Sequence, residues 1–308
     1  MMMKKVLIAT VKPFAPETLP LIKTLCNKAA YEMELIEKYE SQNDLIEAVK
    51  GANALIIRSD KVTREVIEAA ESLEIVVRAG AGYDNVDLEA ATANNVVVMN
   101  TPGQNSNAVA ELALGMMVYF ARNLFNGKPG TELKGKKLGM HAYGHVGKLV
   151  ANIAKGFGME IFAFDPYIEN DNIRKDNVIP VDSVEELYRK CQYISLHIPA
   201  NEKTKGSVNY NLMKQMPEGA TIINTARKEV VDEVSLLKIM EERSDFGYLA
   251  DVAPDCKDEF DQKYEGRYYF TPKKMGAQTK EANVNAGVAA ANQIIDFFTK
   301  DDITYKVN

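Results

Sequence analysis

The run Ala142-Tyr143-Gly144-His145-Val146-Gly147 joins an apolar segment, KLGMHA, to a helix-like one, VGKLVANIAKGFG. It reads as the dinucleotide fingerprint G-x-G-x-x-G with alanine in place of the first glycine. Gly144 lets the backbone approach a pyrophosphate, and Gly147 lets the helix pack closely on its strand. Free N–H groups near His145 and Val146 would hold the phosphate oxygens. Alanine suits the first position provided that the turn needs no positive φ there. A second apolar run, EIFAF, ends at Asp165. A carboxylate at that point accepts hydrogen bonds from an adenosine ribose and repels a 2′-phosphate, so the expected cofactor is NAD rather than NADP. Two more strand ends carry charge: Arg227 follows TIIN, and Asp251 follows FGYLA. Carboxyl ends of parallel strands line the ligand crevice, and an arginine there clamps a planar carboxylate or keto acid with two hydrogen bonds. A surface salt bridge for Arg227 and a turn cap for Asp251 stay open as alternatives. Lys273 and Lys274 lie in FTPKKMGAQT (270–279), at a corner between a strand and a helix that Thr279 would cap.

These residues need a sheet to hold them. Short apolar runs recur at 5–9, 54–57, 74–77, 96–99, 137–142, 160–164, 193–198, 220–224 and 246–250. Helix-like stretches lie between or after them, at 17–29, 43–51, 63–72, 108–121, 146–158, 184–191, 231–243 and 280–300. Strands apolar throughout are buried on both faces, and this alternation predicts an α/β protein with doubly wound parallel sheets. Pro102 and Gly103 stop a strand ahead of a helix that Ser106 or Asn107 would cap. The last helix has the periodicity to pack back on the N-terminal part. Residues 1–103 and 276–308 are therefore expected to form one domain, with 104–275 inserted as the other and a hinge where the chain crosses twice.

With a net charge of -6 and no basic cluster, neither a nucleic-acid partner nor a membrane surface is expected. Cys26, Cys191 and Cys256 form no C-x-x-C pair and suit a reducing compartment, so a cytoplasmic protein is expected. MMMKKVLIAT reads as a first strand rather than a signal peptide, and the apolar stretch 108–121 contains Glu111 and is too short to span a bilayer. No metal is expected.

The stretches IIRSDKVT, VVRAGAGYDNVD, NTPGQNSNAVAELALG, SLHIPANEKTKG, NTARKEVVDE and TPKKMGAQT, with the glycine loop, follow one another along nearly the whole chain. In that order they resemble the D-2-hydroxyacid dehydrogenases. RAGAGYDNVD with NTPGQNSNAVAE is most similar to the branch of the family that acts on 3-phosphoglycerate. The resemblance implies a Rossmann-type cofactor domain inserted in a flavodoxin-like substrate domain. It also implies NAD-dependent oxidation of 3-phosphoglycerate to 3-phosphohydroxypyruvate, the first step of phosphorylated serine synthesis. A homodimer built on the helix from Asn107 to Phe125 follows from it, as does a short form without the C-terminal regulatory domain of longer relatives. By the same resemblance the cofactor contacts are Ala142, Gly144, His145, Val146, Gly147, Asp165, His197, Pro199, Thr225, Ala226 and Asp251. Arg227 would bind the substrate carboxylate together with backbone N–H groups at Gly80 and Ala81. Arg58 would grip the phosphate, assisted by Asn105 and Ser106.

The sequence departs from the family where a histidine usually follows Thr-Pro as general acid–base. Aligning on Gly276-Ala277-Gln278-Thr279 puts Lys274 in its place, with Lys273 beside it. The glutamate that pairs with that histidine, five positions after the aspartate, is Cys256 here. The two changes belong together. A glutamate raises and orients an imidazole, whereas a lysine, with an ordinary pKa of about 10.4, is made a worse base by a carboxylate. Loss of the glutamate, nearby Arg227 and Lys273, and desolvation all favour the neutral amine. Lys274 is thus expected as the acid–base group, while His141, His145 and His197 are expected in structural or cofactor-packing roles. Glyoxylate or hydroxypyruvate reduction and D-lactate oxidation remain alternatives, as does a non-catalytic NAD-sensing protein.

Overall fold

The computed structural model describes residues 3–308, and the chain divides into two compact units: residues up to Asn105 with Gln278–Asn308, and Ser106–Ala277. The first unit holds β1 (Lys5–Thr10), β2 (Glu32–Glu37), β3 (Ala54–Ile57), β4 (Ile75–Arg78) and β5 (Val97–Asn100). They pair in the flavodoxin-like order β2-β1-β3-β4-β5, every pair parallel. Side chains alternate between two buried faces, Leu7, Leu55 and Val76 on one and Ile8, Ile56 and Val77 on the other. That is why these strands read as unbroken apolar runs. The helix Lys280–Lys300 covers the second face with Ala286, Ala290 and Ile294, beside Ile22 and Cys26 of the helix Thr18–Lys28. The strand β2, EMELIE, is absent from the apolar runs. It is a half-exposed edge strand, and its glutamates suit an edge.

The second unit holds β6 (Lys137–His141), β7 (Glu160–Phe164), β8 (Ile179–Pro180), β9 (Tyr193–Leu196), β10 (Thr221–Asn224), β11 (Gly247–Ala250) and β12 (Tyr268–Phe270). Their order is β12-β11-β10-β9-β6-β7-β8, again all parallel. The order reverses between β6 and β9, which is where ligands bind in such sheets. Registers align the last residues of the strands: Phe164 with His141, His141 with Leu196, Leu196 with Asn224, Asn224 with Ala250, and Ala250 with Phe270. The next residue of each chain segment, Asp165, Ala142, His197, Thr225, Asp251 and Thr271, therefore forms one row along the carboxyl edge. The helix Ser106–Ala121 buries Ala110, Ala113, Leu114 and Met117 with Val150 and Ala151 of the helix His145–Gly156. Much of its apolar character thus serves the unit's own core. Among the described residues no helix is long and apolar enough to cross a membrane.

Thr279 caps the final helix, its hydroxyl accepting from Ala282 N at 3.1 Å. One turn on, the Asn283 amide donates to Thr279 O at 2.8 Å and accepts from the Arg58 guanidinium. The cap therefore also fixes the partner of a charged side chain on the sheet edge. Thr279→Ala should destabilise this unit by about 1 kcal/mol in urea unfolding, with Thr279→Ser close to wild type. An unchanged midpoint for Thr279→Ala would show that the cap adds nothing.

Candidate active site

The chain leaves β6 through Ala142, whose N–H donates to Phe164 O at 2.9 Å and whose φ is 81°. The turn does need positive φ, contrary to the condition under which alanine suits it. This alanine is held in a conformation that costs a side chain roughly 1–2 kcal/mol. Gly144 is the N-cap of the following helix, with no side-chain cap, and a Cβ there would meet nothing within 4 Å. The first N–H groups of the helix, near His145 and Val146, have no intrahelical partner. At Gly147 a Cβ would lie 2.5 Å from Ala142 O, so only glycine allows this approach of helix to strand.

Asp165 is fixed by two backbone bonds, from Tyr143 N to Oδ2 at 2.8 Å and from Tyr167 N to Oδ1 at 2.9 Å. Each carboxylate oxygen keeps a lone pair for a further donor. His197 Nε2 and Thr225 Oγ1 are buried with no hydrogen-bond partner among the described residues. Burial, and then neighbouring His141, hold the His197 imidazole down to about 3. Burial holds His141 to about 4 against the opposing pull of Asp165, while its Nδ1 lies 3.1 Å from the Tyr188 hydroxyl. Both rings are neutral near pH 7 and are not poised for proton transfer. An uncapped helix start, an anchored acid and two orphaned polar atoms on one strand edge fit a dinucleotide. His145 and Pro199 are exposed, and Val146 and Ala226 half-buried.

The sequence groups Asp251 with the cofactor contacts, but its carboxylate is turned to its own chain. It is 3% exposed. Oδ1 accepts from Thr271 Oγ1 at 3.0 Å and Met275 N at 2.7 Å, and Oδ2 accepts from Gly276 N at 2.7 Å. A Cβ on Gly276 would sit 2.8 Å from Oδ2, so glycine is required for that bond. The three intervening residues, Pro272, Lys273 and Lys274, are pinned at both ends by one carboxylate. All three are exposed. Lys274 lines a cavity of about 110 Å³ together with Thr225, Arg227, Lys228, Asp251 and Val252.

Asn224 shapes the opposite wall: Oδ1 accepts from Ala226 N at 3.0 Å, and Nδ2 donates to Arg227 O at 2.9 Å. The Arg227 guanidinium donates to Ala226 O at 2.9 Å and has four further N–H donors. Lys228, overlooked in the sequence, pairs with Asp255 at 2.5 Å. Cys256 donates its backbone N–H to Glu233 at 2.9 Å, and burial followed by that glutamate pushes its thiol up to about 12.

In the first unit, Arg58 donates to Lys12 O at 2.9 Å, to Pro13 O at 2.8 Å and to Asn283, and its guanidinium lies 5.1 Å from the Phe14 ring centroid. Most of its donors are already engaged within this unit. The Gly80 N–H, expected on a substrate oxygen, donates instead to Arg78 O at 2.8 Å. The Arg78 guanidinium fills the space where a Gly80 side chain would be. Ala81 is exposed and Asn105 half-buried. Ser106, in the second unit, is buried at the start of its helix rather than offered to a ligand.

The family described as D-isomer specific 2-hydroxyacid dehydrogenase, NAD binding domain, matches residues 115–264. The chain is 48% identical to the NAD+-bound 3-phosphoglycerate dehydrogenase of Entamoeba histolytica, with a TM-score of 0.88 and 99% of both chains covered. It belongs to the D-isomer-specific 2-hydroxyacid dehydrogenases. The D-3-phosphoglycerate dehydrogenase of Methanocaldococcus jannaschii is 36% identical over 82% of this chain and 51% of its own length. The hydroxypyruvate reductase of Thermotoga maritima is 33% identical over 85% of this chain and 90% of its own. The chain spans about half the length of the first curated phosphoglycerate dehydrogenases it matches. Its second unit carries the family's NAD-binding domain, and NAD is the cofactor.

Replacing Ala142 by glycine should relieve the strained turn. The gain of roughly 1–2 kcal/mol is offset by about 0.4–1 kcal/mol of added chain entropy in the unfolded state. A rise in melting temperature of about 2 °C is expected for Ala142→Gly. A lower melting temperature would mean that the alanine is not strained.

Proposed function

We propose that this chain oxidises 3-phosphoglycerate to 3-phosphohydroxypyruvate, with Lys274 as the acid–base group. The reading rests on one observation above all: Arg227 and the Asp251-pinned Lys274 line the same cavity. Similarity to the phosphoglycerate dehydrogenases of E. histolytica and M. jannaschii supports the substrate. The helix start at Gly144–Gly147, Asp165, His197 and Thr225 are the groups proposed to hold the dinucleotide. NAD, when bound, accepts the hydride from C2. Arg227 binds the substrate carboxylate through its guanidinium fork. The neutral Lys274 amine removes the C2 hydroxyl proton and becomes an ammonium, and in reverse that ammonium returns the proton to the forming alkoxide. Arg58, Ala81 and Asn105 remain proposed substrate contacts, and Arg58 would have to exchange one of its present bonds to serve. Assembly as a homodimer, a place in serine synthesis and a cytoplasmic location belong to the same proposal.

A second reading is hydroxypyruvate reduction, favoured by the T. maritima relative, which matches over most of both lengths. Comparing kcat/KM for 3-phosphohydroxypyruvate, hydroxypyruvate and glyoxylate separates the two.

Lys274→Ala should lower kcat by about 10²–10⁴-fold, the usual contribution of a positioned acid–base group. Oxidation by the wild type should speed up from pH 7 towards pH 10, because the base must be neutral, and Lys274→Ala should flatten that slope. Turnover of Lys274→Ala within a few fold of wild type would remove the lysine from the reaction.

A further inference from the structure

Lys228 remains without a part in this scheme. It follows Arg227 directly, and three basic residues, Arg227, Lys228 and Lys274, line one small cavity. Of the acidic groups on that lining, Asp251 is committed to the corner, which leaves Glu229. A space of this composition suits a ligand with more than one negative charge.

The Lys228 ammonium is held rather than loose. Asp255 Oδ1 accepts from it at 2.5 Å, and Asp255 is itself anchored, its N–H donating to Glu233 Oε1 at 2.9 Å. The hydrogen bond to Asp255 raises the lysine's pKa, so the cation persists through the neutral range. The pair is nonetheless exposed, the Asp255 side chain at 79%, and such pairs contribute little to stability. An ammonium has three donors, so Lys228 can meet an incoming anion while keeping or releasing Asp255.

We propose that Lys228 is a specificity-determining residue: with Asp255 as its resting counter-ion, it binds the phosphate of a phosphorylated three-carbon 2-hydroxy or 2-keto acid whose carboxylate lies on Arg227. This rests on the reading of the cavity as the site of 3-phosphoglycerate oxidation.

The test is reduction of 3-phosphohydroxypyruvate and of hydroxypyruvate by NADH in wild type, Lys228→Met and Lys228→Arg, with thermal melts to verify folding. Lys228→Met should raise KM for the phosphorylated acid about tenfold with kcat little changed, and leave hydroxypyruvate within about twofold. Lys228→Arg should stay within about threefold of wild type for both. Equal losses on both acids, or a preserved preference for the phosphorylated one, would overturn the role of Lys228 while leaving the substrate reading intact. A wild type with no preference for the phosphorylated acid would overturn the substrate reading, and the inference with it.

Discussion

The Asp251 carboxylate is the constraint on which the candidate site depends. Removing a carboxylate from water costs several kcal/mol unless charge-assisted hydrogen bonds replace the solvent. Here the replacements are Thr271 Oγ1, Met275 N and Gly276 N, all drawn from the single corner that carries Lys274. The corner therefore has little choice of path. If it opened, a buried carboxylate would lose its donors, and if Gly276 carried a side chain, the bond from Gly276 N would be blocked. The exposed Lys274 is carried on a fixed backbone, the kind of support that a positioned catalytic group requires.

The sheet makes that constraint possible. Parallel pairing without offset brings six strand ends to one level, so that the first residue beyond each strand shares a common edge. Asp251 meets Thr271 because β11 and β12 are neighbours in register. The same pairing sets the glycine loop beside His197 across the reversal of strand order. Neutral histidines, the acceptor Asp165 and the donors of an uncapped helix start lie along one part of this edge. Its other end gathers Arg227, Lys228 and Lys274 around one cavity.

Much of this was legible in the sequence where local chemistry decides it. Buried strands announce themselves as apolar runs, and the glycine loop, Asp165 and Arg227 stand at strand ends that those runs define. The edge strand β2 was not legible, because a half-exposed strand with three glutamates has no unbroken apolar run. The positive φ of Ala142 was not legible either, since alanine ordinarily marks its absence. The part of Asp251 was hidden for a different reason: its donors lie at least 20 positions further along the chain and meet it only through strand register. Lys228 and Asp255, 27 positions apart, pair for the same kind of reason. The preoccupied donors of Arg58 and Gly80 depend on tertiary neighbours that no local pattern encodes.

The measurement that bears most directly on this account is a comparison of Asp251→Asn with wild type, reading NAD affinity by fluorescence titration and kcat at saturating NAD. Asparagine keeps the shape but removes the charge and one acceptor from the corner. The account predicts that NAD binds within about threefold of wild type while kcat falls by two orders of magnitude or more, because the lysine loses its fixed base. Weakened NAD binding with kcat restored at saturation would contradict it, and would make Asp251 a cofactor contact rather than the anchor of the corner.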